Sequence, residues 1–240
     1  VGTLYKARQT KSGRLVAVKI LSPYLAASKG FAERFFREGR LAAQLDHPNL
    51  PRLIEVGEAQ GLLFVVREYI EGQTYAQVLE ERKRVPEREV IEVGLAVAQA
   101  LEAAAASGLL HRAIKPENIV RTPDDQVKLC ELGLARPIED DSPAAMIDEA
   151  FGAPLYLAPE AARGRAVVDS RSDIYSLGAS LYHLLTGAPL FQGPTAQAVL
   201  DQHRSAEAPH PQDRVPGVAA GLVAVLRMML AKDPTERYAD

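Results

Sequence analysis

The chain has 240 residues, of which 47% are hydrophobic and 25% charged, a composition typical of a globular protein with a sizeable core. Its formal net charge is −3 and it contains no long run of Lys or Arg. Both features disfavour nucleic acid and anionic membranes as partners of this segment.

The single cysteine, Cys130, excludes an intrachain disulfide and lacks the companions that a cysteine-based metal site needs. The most apolar stretch, residues 93–110, is interrupted by polar residues and falls short of the roughly 20 apolar residues of a membrane span. Together these features favour a reducing, cytosolic location. Because the chain begins with Val1 and shows no signal peptide, we expect an excised domain, and the full-length protein could carry a membrane anchor outside it.

The first segment predicts a β-hairpin. Residues 1–7 and 15–20 have strand character, and the turn-rich residues 9–13 separate them. Lys19 lies inside the second strand. A solvated lysine is the plain interpretation of that position, and a functional lysine is the alternative.

Residues 31–45 predict a helix, because apolar residues recur on one face at Phe31, Phe35, Ala42 and Leu45. Glu38 lies on the same face, where a carboxylate is costly to bury unless a cation pairs with it. We therefore expect Glu38 to pair with Lys19; the alternative is a helix rolled so that Glu38 reaches solvent. Residues 47–49 should end this helix, since the residue before a proline avoids helical geometry.

Two further strands, residues 52–57 and 62–70, predict a small sheet with the helix laid over it. Gly72 marks a flexible exit from this unit. A long helix at residues 86–107, stopped by Gly108, then begins a second lobe.

A polar loop runs from His111 to Asn118, after the apolar Leu109 and Leu110 and before the short apolar strands predicted at residues 119–120 and 127–130. A polar loop between rigid elements often contains binding or catalytic residues. The alternative is a loop whose polar groups only form structural hydrogen bonds. A later helix at residues 173–186 has Asp173 available to cap its start and Gly187 at its end.

Short motifs recur along nearly the whole chain in a fixed order. They are Val16-Ala17-Val18-Lys19, Glu38, His111-Arg112-x-x-Lys115-Pro116-Glu117-Asn118, Glu131-Leu132-Gly133, Ala158-Pro159-Glu160, Asp173-Ile174-Tyr175-Ser176-Leu177-Gly178 and Arg237. In this order they resemble the signature set of the protein kinase superfamily, in particular its bacterial Ser/Thr branch. The resemblance implies an α+β fold of two lobes in a single domain, 1–240, truncated at both ends. A β-rich N-lobe with one helix would cover residues 1–67, a hinge 68–72 and a mainly helical C-lobe 73–240.

By this resemblance, ATP binds in the cleft between the lobes. Lys19 would hold its α- and β-phosphates, and Glu38 would fix Lys19 in place. Backbone groups of Glu68 and Ile70 would meet the adenine.

The same resemblance assigns roles to the polar loop and the residues after it. Lys115 corresponds to the residue that neutralises the transferring phosphate, and Asn118 and Glu131 correspond to ligands of Mg²⁺. His111 would help to shape the cleft. Gly133 completes the metal-binding motif.

Three further positions support the architecture in the family. Asp173 corresponds to a carboxylate that anchors the backbone of the catalytic loop. Glu160 and Arg237 correspond to a buried ion pair that braces the second lobe.

Four positions depart from the pattern of the family. Ala113 replaces the aspartate that accepts the proton of the substrate hydroxyl, and Glu131 replaces a metal-binding aspartate, its additional methylene moving the carboxylate by roughly an ångström. Ala153 replaces a threonine that hydrogen-bonds to the catalytic aspartate and lysine. Arg67 replaces an apolar or small residue at the back of the adenine pocket. A guanidinium there needs a carboxylate or water, so Arg67 could fill part of the pocket or compete for Glu38.

The segment between the metal motif and Glu160 is rich in carboxylates. They could supply Arg112 with a permanent negative charge in place of a phosphate. A solvated acidic loop is the alternative, since exposed ion pairs are weak.

The departures favour a pseudokinase, a kinase fold kept as a regulatory or scaffolding module for a protein partner or a neighbouring domain of the same chain. ATP and Mg²⁺ binding could be retained, reduced or lost. Losing a general base slows a reaction by about 10² to 10⁴, and a misplacement of about 1 Å by about 10² more. The alternatives are a weakly active Ser/Thr kinase that transfers the γ-phosphate of ATP to protein hydroxyls, and a structural domain without nucleotide.

Overall fold

The computed structural model describes residues 2–23, 30–132, 154–163 and 168–239. In chain order the elements are β1 (Gly2–Arg8), β2 (Leu15–Leu21), α1 (Phe31–Ala42), β3 (Leu53–Ala59), β4 (Leu62–Glu68), β5 (Gln73–Thr74), α2 (Tyr75–Arg82), α3 (Glu87–Ala106), β6 (Ile119–Arg121), β7 (Val127–Leu129), α4 (Pro159–Ala162), α5 (Ser170–Thr186), α6 (Ala196–Ser205), α7 (Pro211–Arg214) and α8 (Ala220–Met229). They form the predicted α+β fold of two lobes, with an antiparallel sheet in the first lobe and mainly helices in the second.

The sheet of the first lobe has the strand order β1-β2-β4-β3, and its neighbouring strands are antiparallel. The predicted hairpin of β1 and β2 is confirmed, and Lys19 in β2 lies opposite Val65 in the central strand β4. Gln60 and Gly61 join β3 to β4 with φ values of 52° and 76°. Two positive φ values in a two-residue loop match the right-handed twist of the strands that it joins.

Helix α1 covers this sheet with a buried face that includes Glu38, as the apolar pattern predicts. The helix ends at Ala42, however, and not at residues 47–49. The backbone N–H groups of Gln44 and Leu45 each donate to the carbonyl three residues earlier, at 3.1 Å. This tighter bonding unwinds the last turn before the chain reaches the proline.

The core of the second lobe lies between α3 and α5. The buried residues of α3 recur at helical spacing, at Val90, Val93, Val97, Ala100 and Ala104. Those that α5 contributes to the same core are Leu177, Leu181, Leu184 and Leu185. Among the described residues, no helix combines the length and the apolar character that crossing a membrane requires.

Helix α5 begins at Ser170, earlier than predicted, because Asp169 caps it. The carboxylate of Asp169 accepts a hydrogen bond from the backbone N–H of Arg171 at 2.9 Å. The expectation that Asp173 caps this helix is therefore wrong, since Asp173 lies within its first turn. The helix ends at Gly187 as predicted, with a φ of 75°.

A buried ion pair joins α4 to the chain after α8. Glu160 is 5% exposed and Arg237 is 6% exposed. The guanidinium of Arg237 donates to both carboxylate oxygens, at 2.8 and 2.9 Å, and the hydroxyl of Ser172 donates to one of them at 2.6 Å. Burial alone would raise the pKa of Glu160, but the hydrogen bonds from Arg237 and Ser172 hold it below its usual value.

Replacing Arg237 by alanine should destabilise the protein by about 3 to 5 kcal/mol, because it leaves the buried Glu160 carboxylate without its cation. Urea unfolding measures the loss. Arg227, exposed on α8, provides the control, since Arg227→Ala should change the unfolding free energy by about 0.5 kcal/mol or less. Equal effects of the two substitutions would contradict the prediction.

The contribution of Glu160 should depend on pH. Its pKa is lower in the folded than in the unfolded protein, so its contribution is complete above the ordinary value of 4.5 and is lost as pH falls through the lowered value. The difference in unfolding free energy between the wild type and Glu160→Gln should therefore shrink on acidification from about pH 5 to about pH 2. A difference that stays constant over that range would refute the assignment.

Candidate functional site

The polar loop from His111 to Asn118 is held by the carboxylate of Asp173. The backbone N–H of His111 donates to one oxygen of Asp173 and that of Arg112 to the other, each at 2.7 Å. Arg112 has a φ of 59°, a left-handed conformation that is uncommon for residues other than glycine. The two hydrogen bonds hold this conformation and attach the loop to the core helix α5.

The imidazole of His111 is fully buried and ties the loop to the strand that follows it. Its Nε2 lies 3.0 Å from the carbonyl oxygen of Cys130, and the backbone N–H of Ala113 donates to its Nδ1 at 3.3 Å. These contacts assign the proton to Nε2. Burial raises the pKa of the Cys130 thiol to about 12, so this thiol remains protonated near neutral pH.

Ala113 lies in the middle of this loop. The side-chain amide of Asn118 donates to the carbonyl of Ala113 at 2.7 Å, and the backbone N–H of Cys130 donates to the carbonyl of Asn118 at 2.7 Å. The backbone is thus fixed on both sides of position 113. The side chain there is a methyl group, which can neither accept nor orient a proton.

The carboxylate of Glu131 lies between two cations from the sheet of the first lobe. The Lys19 ammonium, from β2, pairs with Oε2, and the Arg67 Nη2, from β4, lies 3.2 Å from Oε1. Burial alone would raise the pKa of Glu131, but Arg67 and Lys19 hold it below its usual range. Glu131 is therefore ionised, and each of its oxygens has a cationic partner.

The expected pairing of Glu38 with Lys19 is wrong. Glu38 pairs with Arg112 of the polar loop, whose Nη1 lies 3.5 Å from its Oε1. Lys19 has Glu131 as its partner, and Arg67, buried on the neighbouring strand, contacts the other oxygen of that carboxylate. Arg67 likewise does not compete for Glu38. The acidic residues proposed as partners of Arg112 lie outside the described residues.

Arg67 also shapes the back of the cleft. It is 8% exposed and lines a cavity of about 30 Å³, a volume that suits about one water molecule. The other residues around this cavity are mainly apolar and include Ala42, Leu45, Leu50, Leu53, Val65 and Leu129. Of the two interpretations of Arg67, partial filling of the pocket accords with this geometry.

The predicted hinge follows directly from β4. The backbone N–H of Glu68 donates to the carbonyl of Arg52 at 2.9 Å, and Ile70 lies two residues further along the chain. At Gly72 a Cβ atom would lie 2.2 Å from the carbonyl oxygen of Arg121. Only glycine permits this close approach of the hinge exit to β6.

Two predicted site residues, Gly133 and Ala153, lie outside the described residues. One positioning residue was missed. The side-chain amide of Asn49 donates to the carbonyl of Val127 at 2.7 Å, and the backbone carbonyl of Asn49 accepts from the N–H of Leu129 at 2.7 Å. Its place directly after Pro48 was the available signal, because a polar residue in a turn often bonds to nearby backbone.

The residues present do not fit a Mg²⁺ ion. Within the described part of the chain, no group of three or more His, Cys, Asp or Glu could hold a metal. Both oxygens of Glu131 face cations. Mg²⁺ requires near-ideal octahedral oxygen ligands and would meet two positive charges here.

Known proteins resemble this chain in sequence and in structure. The family described as "Protein kinase domain" matches residues 1–239. The chain is 37% identical over 239 residues to serine/threonine-protein kinase PknB of Mycobacterium leprae, and 38% identical over 247 residues to a probable serine/threonine-protein kinase PknB of Bifidobacterium longum. Each match covers 98% of this chain but only 38% and 36% of these relatives, respectively. The crystal structure of the PknI kinase domain of Mycobacterium tuberculosis superposes with a TM-score of 0.78 at 33% identity, covering 99% of this chain and 86% of that chain.

Replacing Asp173 by alanine should destabilise the protein by about 2 to 6 kcal/mol, because each buried N–H left without an acceptor costs about 1 to 3 kcal/mol. Asp173→Asn should lose less, since it keeps one acceptor oxygen. Chemical denaturation measures both changes. Asp201→Ala on the surface of α6 is the matched control, with an expected loss of about 1 kcal/mol or less. A loss for Asp173→Ala no larger than the control would contradict the anchoring role.

Proposed function

This chain belongs to the protein kinase family, and on that premise we propose that it is a pseudokinase of the Ser/Thr branch. It keeps the two-lobed fold as a regulatory or scaffolding module and does not transfer phosphate efficiently. The observation that carries the proposal is the methyl group of Ala113, held by an otherwise intact loop at the position where the family places its catalytic aspartate.

The magnitude of the loss supports this proposal. Without a general base, a kinase turnover of about 1 to 100 per second falls by about 10² to 10⁴. The two cations on Glu131 add to the loss, because they oppose the Mg²⁺ that kinases in general use with ATP. The relatives named above are Ser/Thr kinases, so the proposed loss concerns this chain and not its family.

The preserved architecture favours a retained module over a degraded one. Asp173 accepts both of its hydrogen bonds from the polar loop, and the buried ion pair of Glu160 and Arg237 is formed. A kinase fold that only decays would not be expected to keep these costly buried charges paired. The proposed partner is a protein or a neighbouring domain of the same chain, and a two-lobed cleft offers it a shape that changes with occupancy.

A weakly active Ser/Thr kinase is the second candidate, and one observation favours it. Glu131 is an ionised carboxylate beside Lys19, so the position that binds metal in the family still has an acidic side chain. Ligation through this acid would require both cations to move to the phosphates of ATP.

Transfer of radiolabelled phosphate from ATP to a generic basic substrate tests the proposal. We expect the unmodified chain to turn over at least about 10² more slowly than an active Ser/Thr kinase assayed beside it. The triple substitution of Ala113→Asp, Glu131→Asp and Arg67→Met should raise transfer by about tenfold or more, since it restores a base and a metal ligand and removes one opposing cation.

Ala106→Asp, at an exposed position of α3, is the control for added negative charge and should change nothing. Turnover by the unmodified chain at the rate of the active kinase would overturn the proposed function. A triple variant no faster than the control would show that these side chains do not account for the loss.

A further inference from the structure

The cluster of Lys19, Arg67 and Glu131 carries two cations for one anion. The exposed fractions of these side chains are 19%, 9% and 17%, so the cluster is shielded from water. Charges in such a place interact more strongly than at the surface. The cleft therefore holds an excess positive charge at the position where the family holds acidic metal ligands.

One hydrogen-bond donor of Arg67 is unpaired among the described residues. Its Nε is buried and, among the described residues, has no hydrogen-bond partner. A buried donor without an acceptor is costly, so the guanidinium is poised for a further anionic or polar ligand. This observation is independent of the charge excess.

Glu131 already shows how the cluster binds an anion. Its two oxygens each take one cation, one from Lys19 and one from Arg67. Two oxygens of a phosphate could make the same pair of charge-assisted contacts, and a guanidinium is well suited to phosphate oxygens. Glu131 thus makes the pair of contacts that a phosphate could make, with the negative charge supplied by the protein itself.

We propose that this cleft binds a nucleoside di- or triphosphate without a divalent cation, with Lys19 and Arg67 on the phosphates and Glu131 as an internal competitor that the ligand displaces. The inference rests on the proposed function, since it names the ligand of the same cleft and its metal requirement. Arg67 provides the positive charge that Mg²⁺ provides in an active kinase. Mg²⁺ on the nucleotide therefore weakens binding, because it partly neutralises the phosphates and is repelled by both cations.

Calorimetric titration with ATP tests this inference, once in EDTA and once in excess Mg²⁺. The wild type should bind ATP more tightly in EDTA. Tighter binding in Mg²⁺, or no binding in either condition, would overturn the inference. Inorganic tripolyphosphate in EDTA should bind more weakly than ATP, and equal affinity would exclude the nucleoside from the proposal.

Two substitutions give opposite expected signs. Arg67→Leu should weaken metal-free binding by about tenfold or more, since it removes a charge-assisted contact. Glu131→Gln should tighten metal-free binding by a similar factor, because it removes the competitor. In a metal-dependent site the same Glu131→Gln would weaken binding, so a weaker affinity would refute the proposed competition.

Arg88→Leu on α3 and Glu58→Gln on β3 remove the same charges at exposed positions and should leave the affinity unchanged. If Glu131→Gln fails to fold, the comparison of EDTA with Mg²⁺ in the wild type still decides the question. The outcome is also separable from that of the proposed function. Absence of metal-free binding together with absence of phosphate transfer would leave the pseudokinase in place, whereas transfer by the wild type would remove it whatever the titration shows.

Discussion

The carboxylate of Asp173 accepts the backbone N–H groups of His111 and Arg112, and the geometry of the cleft depends on this pair of hydrogen bonds. Asp173 lies on α5, whose leucines form part of the core of the larger lobe. The position of the loop is thereby coupled to the hydrophobic core of the second lobe. The side chain at position 113 does not take part in this support, so an alanine there alters the chemistry without loosening the loop.

The ion pairs in the cleft differ from the expected pairing of Glu38 with Lys19. Glu131 keeps the negative charge of the position but has both oxygens on cations of the sheet, while Glu38 turns to Arg112. Arg67 is buried at the back of the cleft, where a guanidinium needs a carboxylate, and Glu131 meets that need. Lys19, Arg67 and Glu131 thus form one cluster, separate from the pair of Glu38 and Arg112.

Much of the fold could be predicted from local pattern. The hairpin, the buried face of α1, the long helix α3 and the glycine at the end of α5 all follow from the spacing of apolar residues and from turn residues. The errors arose at element ends. Helix α1 unwinds early through tighter hydrogen bonds, and α5 starts at a different acidic cap, since several residues near a helix end can satisfy its unpaired groups.

The sequence by itself determined the order of motifs, the two-lobed α+β class and the residue types at the cleft, including the alanine at position 113. These are properties of short segments, and each segment carries its own pattern. Only the tertiary structure decided which charge meets which, because Lys19 and Glu131 are 112 residues apart and several acids and bases could have been their partners. A buried charge pairs with whichever opposite charge the fold brings close, and that proximity is a property of the whole chain.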